Sequence, residues 1–324
     1  SSDLQSLAAS ITEQAPGVAK VLVIDLSEGD VLDTARLPSV QALEEVIPSE
    51  YTDIPWGDFP ETTPCGLCFT SGTTGAPKGV TYTHRGNYLH TMRQLQADVS
   101  GITSHDVVLP VVPMFHASAW GLPFSAPATG AKLVLPGRHS DGESLAHLIA
   151  DEGVTIAVGV PTIWTGLLEY IEATDLELPS LKRIMVGIRV QTTWGMTELS
   201  PLGTAAPPED ERSPETAGRP AVGLDLMLTD HNGKPLAEQR GREGHLWVRG
   251  SSVVARYFGQ TKDATKDGWF ETGDLAVLSE EGQVFITGRS KDLIKSGGEW
   301  INPTEIETLI SRMSEVALAA VVGR

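Results

Sequence analysis

The chain has 324 residues, of which 40% are hydrophobic and 20% charged, enough for more than one domain and a sizeable buried core. Its formal charge of -18, from 42 acidic against 24 basic side chains, excludes a general nucleic-acid or anionic-membrane surface. No apolar run approaches the roughly 20 residues of a bilayer span, and Ser1-Ser2-Asp3-Leu4 lacks the basic and apolar parts of a signal peptide, so a cytoplasmic location is expected.

In chain order, Val21 to Ile24 reads as a strand. Cys65 and Cys68 form a lone C-x-x-C, which fits a redox pair or half a zinc site, but there is no second pair. The apolar neighbours Gly66, Leu67 and Phe69 favour a strand entering a core, with both thiols buried. A Gly/Thr-rich loop follows from Thr70 to Gly79, and Val80 to Thr83 reads as a strand. Strands are expected at Val107–Val112, Lys132–Leu135, Thr155–Val160 and Ile184–Val186, and helices at Asn87–Gln96, Ser144–Glu152 and Thr162–Ala173. Pro161 sets the entry to the last of these. This alternation is the mark of α/β layers.

One junction lacks a physical rationale. Ile184-Met185-Val186 meets Gly187 and then a second strand-like run, Ile188 to Gln191. Parallel neighbours need a crossover of about a dozen residues, and an antiparallel pair needs a turn. A connecting loop and helix are therefore expected to be missing between Gly187 and Ile188.

Beyond a solvated loop at residues 207–215, the style changes from about Gly218. Strands at Leu224–Leu228, His245–Val248 and Val284–Ile286 are separated by turns at Asp230–Gly233 and Glu280–Gly282, as in an antiparallel β-rich subdomain. Near the end, Asn302 as N-cap, Pro303 at the first helical position and Glu305 in a capping box predict a helix up to Arg312. The expected divisions are 1–217, 218–290 and 291–324.

The loop holding Thr70, Ser71, Gly72, Thr73, Thr74, Gly75 and Lys78 offers hydroxyls, unobstructed backbone N–H groups and one cation, which suits a polyphosphate. A flexible linker has similar composition, but this loop is followed at once by a strand. It is not a Walker loop, because Pro77 precedes Lys78 and Gly79 follows it; G-x-S-x-G is also absent. Elsewhere, Thr197-Glu198 suits either a helix start or a hard-cation ligand, and Thr272-Gly273-Asp274 suits a turn. His116 and Trp120 suit a core as well as an apolar pocket.

TSGTTGAPKG resembles the phosphate-loop signature of the adenylate-forming superfamily, which includes acyl-CoA synthetases, peptide-synthetase adenylation domains and luciferases. Further segments resemble that family's motifs in the same order: Val111–Gly121 the acyl-pocket segment, Thr193–Glu198 the adenine and magnesium motif, Thr272–Asp274 the ribose motif, and Gly288–Ile301 the hinge. The resemblance covers essentially the whole chain. It implies a large α/β domain with a β-rich subdomain and the start of a small α+β C-terminal domain.

For the residues, the resemblance implies that Lys78 and the loop grip ATP. Thr193, Trp194, Gly195 and Met196 shape the adenine slot, Thr197 bonds the α-phosphate and Glu198 holds Mg²⁺. Asp274 and Arg289 take the ribose. His116, Trp120 and Gly195 wall the acyl pocket. Lys291 is the hinge, for which an ordinary surface lysine is the alternative, and Ser296, Gly297, Gly298, Glu299 and Trp300 line the coenzyme A channel. The implied reaction joins a carboxylic acid to coenzyme A through an acyl-AMP at the expense of ATP. The branch that matches best takes medium- and long-chain fatty acids or small sulfur-containing acids such as 3-methylmercaptopropionate. A carrier-protein-loading adenylation domain and a non-catalytic nucleotide-binding module remain the alternatives, and a homodimer stays open as the assembly. The family's catalytic lysine near the end of the small domain, and chain well upstream of the phosphate loop, lie outside the 324 residues, so these are expected to come from a longer enzyme.

Overall fold

Continuous β-branched runs such as Val107–Val111 and Ile156–Gly159 suit strands covered on both faces, and the computed structural model places them there. It describes residues 4–15, 17–18, 20–24, 31–37, 39–47, 57–70, 76–137, 139–185, 193–206, 216–296, 299–311, 313, 316 and 319–323. The chain divides into two units, Ser1–Phe59 with Gly137–His139, and Pro60–Pro136 with Ser140–Arg324. The first division at Phe59 is one that the sequence reading did not make.

The smaller unit holds helix Gln5–Gln14 and a parallel strand pair, Val21–Val23 with Val40–Ala42. Ala9, Val23, Leu37 and Val40 form its core. The Gln5 side chain ties the helix to the connecting chain, donating to the Val31 carbonyl at 3.0 Å and accepting from the Asp33 N–H.

In the larger unit a parallel sheet runs in the order Lys132–Leu133, Val107–Val111, Ile156–Gly159, Arg183–Met185. Leu109 and Ala157 face one core with Leu145, Ile149, Trp164 and Leu167 from helices Gly142–Glu152 and Pro161–Thr174. Val108, Ile156 and Val158 face a second core with Leu122 and Ala126 from helix Leu122–Thr129. The Asp141 carboxylate accepts the Ser144 N–H at 2.9 Å, which starts the first of these helices two residues earlier than expected. Thr83 likewise caps helix His84–Gln94, accepting from the Gly86 N–H at 3.0 Å.

The β-rich region is a five-stranded antiparallel sheet. Leu224–Thr229 pairs with Glu243–Gly250, which pairs with Trp269–Leu278; Thr265–Lys266 and Val284–Arg289 also border that last strand. Trp269–Leu278, ten residues long, escaped the sequence reading because Thr272-Gly273-Asp274 interrupts its pattern with turn chemistry. The α/β layers and the β-rich sheet are thus as expected, as is the helix Pro303–Ser311, where Asn302 Oδ1 accepts the Thr304 N–H at 3.2 Å.

The C-x-x-C corrects one expectation. It lies in strand Pro64–Thr70, where Cys68 is buried but Cys65 is exposed. An odd spacing in an extended chain sends the two thiols to opposite faces. They form no pair, and among the described residues no group of three or more metal-capable side chains exists. The junction at Gly187–Ile188 and the loop at 207–215 lie outside the described residues.

Candidate active site

The two ends of the Thr70–Gly79 segment lie in paired strands of a β-hairpin. Strands Pro64–Thr70 and Lys78–Thr83 are antiparallel, with Thr70 opposite Lys78. Ser71, Gly72, Thr73, Thr74 and Gly75 lie outside the described residues, so the structure speaks for the loop's two ends. Lys78 stands half-buried with its Nζ 5.2 Å above the Tyr257 ring.

Thr193–Gly195 forms a short strand, paired with Leu202–Ala205 and followed by one 3-10 turn, Thr197–Leu199. A Cβ on Gly195 would lie 2.2 Å from the Pro201 carbonyl oxygen, so the hairpin itself demands glycine there. The turn buries Glu198 at 7% exposure and leaves Thr197 half-buried. Glu198 Oε1 accepts the Tyr257 hydroxyl at 2.9 Å, while its main-chain carbonyl accepts the Val254 N–H at 2.8 Å. Tyr82, from the hairpin, lies alongside. Among the described residues its buried hydroxyl has no hydrogen-bond partner of good geometry, and burial, then Cys68 and Glu198, push it far above the ordinary phenol range.

At the other end of the same segment, the Trp194 indole N–H donates to Asp274 Oδ2 at 2.8 Å, and Arg289 Nε lies 2.8 Å from Oδ1. A bulge aims the carboxylate. Leu246 stands opposite three residues, Thr272 to Asp274, between the pairs His245–Leu275 and Trp247–Glu271. Gly273 supplies the left-handed φ of +78°, and Thr272 Oγ1 takes the Asp274 N–H at 3.1 Å while donating to the Leu246 carbonyl at 2.8 Å. Register then sets Arg289 directly across from Asp274. Only 2% of the Asp274 side chain is exposed, and burial raises its pKa against the opposing pull of Trp194 and Arg289. Asp274, expected with Arg289 to take a ribose, is thus engaged on one oxygen by Trp194 and paired on the other with Arg289.

The segment Pro113–Gly121 has a different character. Pro113, Met114, Phe115 and His116 are exposed, and Trp120 is half-buried against the second core. Ala117, Ser118, Ala119 and Trp120 carry φ values of 47°, 53°, 48° and 54°, a left-handed turn made without glycine. Buried contacts hold it. His90 Nε2 donates to the Trp120 carbonyl at 2.9 Å, and Cys68 Sγ lies 3.7 Å from Ser118 Oγ. Burial, with the Arg93 charge adding to it, pushes the His90 pKa down to about 4, so the ring is neutral. The third core, with Cys68, Val80, Tyr82, Leu199, Val248, Val254 and Phe270, underlies the site and joins hairpin, turn and β-rich sheet.

Lys291 is exposed in a 3-10 turn, Ser290–Asp292. The strands Ile294–Ser296 and Glu299–Ile301 pair with Ser296 opposite Glu299, while Gly297 and Gly298 lie outside the described residues, as do the side chains of Ser296, Glu299 and Trp300. A separate recess of about 420 Å³, lined by Leu224, Asp225, Arg240, Arg249 and Trp269 among others, contains none of the expected site residues. Tyr257 and Tyr82 are the partners that sequence reading missed. Tyr257 is 59 residues from Glu198, and no local pattern announces such a contact.

The chain belongs to the AMP-binding enzyme family, whose model matches residues 3–258. It is 41% identical to 3-methylmercaptopropionyl-CoA ligase of Ruegeria lacuscaerulensis over 346 residues, covering 98% of this chain and 64% of the relative. It is likewise 41% identical to the medium-chain-fatty-acid–CoA ligase of Ectopseudomonas oleovorans over 318 residues, covering 90% of this chain and 58% of that one. The chain thus spans only 64% and 58% of the length of these two curated relatives. The first alignment is longer than the 324-residue chain, so that relative has residues without a counterpart here. Among solved structures, O-succinylbenzoate coenzyme A synthetase from Bacillus subtilis in complex with ATP and magnesium ion superimposes with a TM-score of 0.72 at 26% identity, over 99% of this chain and 69% of that one.

Proposed function

We propose that this chain carries the nucleotide and acid sites of an ATP-dependent acyl-CoA ligase acting on a medium- or long-chain fatty acid or a small acid such as 3-methylmercaptopropionate. The observation that carries the reading is the six-residue segment Thr193–Glu198. It joins the Trp194–Asp274–Arg289 cluster at one end to the Glu198–Tyr257–Lys78 cluster at the other. That pairing suits a ribose at one end and a phosphate chain at the other. The names of the Ruegeria and Ectopseudomonas relatives, both acid–CoA ligases, support the same reading.

In the proposed reaction a substrate carboxylate oxygen attacks the α-phosphorus of ATP, and the bond to pyrophosphate breaks. The sulfur of coenzyme A then attacks the acyl carbon, its thiol proton is lost, and AMP leaves. Lys78 and the Thr70–Gly75 loop hold the phosphates, and the Thr197 hydroxyl contacts the α-phosphate. Asp274 and Arg289 hold the ribose, which requires the Trp194–Asp274 bond to open or to share the carboxylate. Trp120 and His116 border the acyl group, and the turn around Lys291 leads to the coenzyme A channel at residues 296–300. Such a site works by alignment and charge compensation. Mg²⁺ fits the donor set, because a cation that arrives on ATP needs only one or two protein carboxylates, and Glu198 is a single buried one with a neutral phenol as partner. It would offset phosphate charge there.

A cytoplasmic location belongs to this reading; among the described residues no helix is long and apolar enough to cross a membrane. The reading includes a segment missing between Gly187 and Ile188, and the Ruegeria relative does have residues without a counterpart in this chain. Reading the coding sequence across that junction tests it: a direct Gly187–Ile188 codon pair overturns it. The function is tested by incubating the protein with ATP, Mg²⁺, coenzyme A and acids from propionate to palmitate and measuring AMP and thioester by mass. Acid-dependent AMP with matching thioester is expected. AMP-free mixtures with every acid would overturn it, and acyl-adenylate without thioester would move the assignment to carrier-protein loading.

A further inference from the structure

Tyr257 is unaccounted for by any motif, yet it sits where three parts of the site meet. Its backbone bridges Val80 of the phosphate hairpin, and the next residue, Phe258, donates its N–H to the Gly79 carbonyl at 2.7 Å. Three residues before it, the Val254 N–H holds the Glu198 main-chain carbonyl. The loop that bears Tyr257 is thus stitched to the hairpin on one side and to the 3-10 turn on the other. Its side chain repeats that link in polar form. The hydroxyl donates to Glu198 Oε1 at 2.9 Å, and the ring lies under Lys78 Nζ at 5.2 Å.

The two contacts act on different groups. A hydrogen bond from a neutral phenol fixes the rotamer of a buried carboxylate and takes one lone pair of Oε1, leaving the other oxygen for a cation. A ring face beneath an ammonium restrains a flexible four-carbon chain without neutralising its charge. A carboxylate in place of the phenol would repel Glu198, and a lysine would neutralise it.

We propose that Tyr257 is a positioning residue that sets Glu198 for the metal through its hydroxyl and Lys78 for the phosphates through its ring. The proposal rests on the reading of the site as a MgATP site. It predicts that the two functions separate: removing only the hydroxyl weakens metal binding, while removing the ring also weakens metal-free nucleotide binding.

The experiment uses purified wild-type, Tyr257→Phe, Tyr257→Leu, Glu198→Gln and the double variant Tyr257→Phe/Glu198→Gln, each checked for folding by circular dichroism and thermal melting. Mn²⁺ binding to the protein–ATP complex is followed by electron paramagnetic resonance, and ATP binding in chelator by calorimetry. Tyr257→Phe is expected to weaken Mn²⁺ roughly tenfold, with metal-free ATP affinity changed by less than about twofold. Tyr257→Leu is expected to weaken metal-free ATP by a further factor of about two to five. In the Glu198→Gln background, Tyr257→Phe should have no additional effect on Mn²⁺, because its route to the metal is already cut. Unchanged Mn²⁺ affinity in folded Tyr257→Phe overturns the proposal, as does an equal loss in both backgrounds. If wild-type itself shows no ATP-dependent Mn²⁺ site, the MgATP reading fails instead, and the two failures are distinguishable. Should Tyr257→Leu fail to fold, Tyr257→Phe and the double variant decide alone.

Discussion

The two sides of the site are held in place by opposite means. In the β-rich sheet, Asp274 and Arg289 face each other because strand register puts them there, and Gly273 takes the left-handed backbone position that the bulge demands. At the Pro113–Gly121 segment, four consecutive residues without a glycine, Ala117 to Trp120, occupy left-handed backbone, at roughly 1–2 kcal/mol each. Regular pairing makes the first arrangement cheap and stiff. The second persists only because buried groups, His90 and Cys68 among them, over-determine it, as strained segments at functional sites require. A turn held by such contacts loses its conformation when one of them is removed. A pair set by strand register keeps its place without them.

That contrast can be broken most sharply at Gly121. Its φ is +78°, and a Cβ there would lie 2.2 Å from His90 Nε2. Gly121→Ala is expected to cost about 3 kcal/mol or more in chemical unfolding, whereas a loss below about 1 kcal/mol would mean that the turn is free to shift. His90 comes next. Its folded pKa, about 4, lies below the ordinary value of 6.5, so the unfolded chain takes up the proton first as pH falls. Stability is therefore complete above pH 6.5 and lost toward pH 4, by up to about 3 kcal/mol. His90→Gln keeps a donor for Trp120 and should flatten that part of the pH profile.

At Ser118 the expected effects are smaller and of opposite sign for two substitutions. Ser118→Val should destabilise by about 1–2 kcal/mol, and Ser118→Gly should leave stability unchanged or raise it by up to about 1 kcal/mol. Equal losses would argue that the side chain and not the backbone conformation matters. In the β-rich sheet, Asp274→Asn is expected to stabilise the protein slightly, by less than about 1 kcal/mol at neutral pH. Because the folded pKa is raised, the cost of ionising Asp274 is present at neutral pH and disappears as pH falls through the carboxylate range, and the advantage of asparagine should disappear with it. The same variant should bind ATP more weakly, measured by calorimetry.

Much of this organisation is legible in the sequence. Val107–Val111 and Ile156–Gly159 announce buried parallel strands by unbroken apolar runs, and Pro161 marks a helix start. The loop from Thr70 to Gly79 is recognisable by composition and by the strand after it, and its ends do close a hairpin. What escaped reading depends on long-range contacts or on breaking local rules. Trp269–Leu278 hides behind a bulge of turn residues, and Ala117–Trp120 adopts a conformation that its residue types disfavour. Cys65 is exposed because strand geometry, not composition, decides its face. The Tyr257–Glu198 and Trp194–Asp274 bonds span 59 and 80 residues, beyond any periodicity.

Acid-dependent exchange of labelled pyrophosphate into ATP tests the central claim most directly, because it reports acyl-adenylate formation before any thiol is needed. The account predicts exchange with at least one acid between propionate and palmitate, in the absence of coenzyme A, and its reduction by roughly 100-fold in Glu198→Gln. Exchange with no acid at all, in protein that binds MgATP, would contradict it.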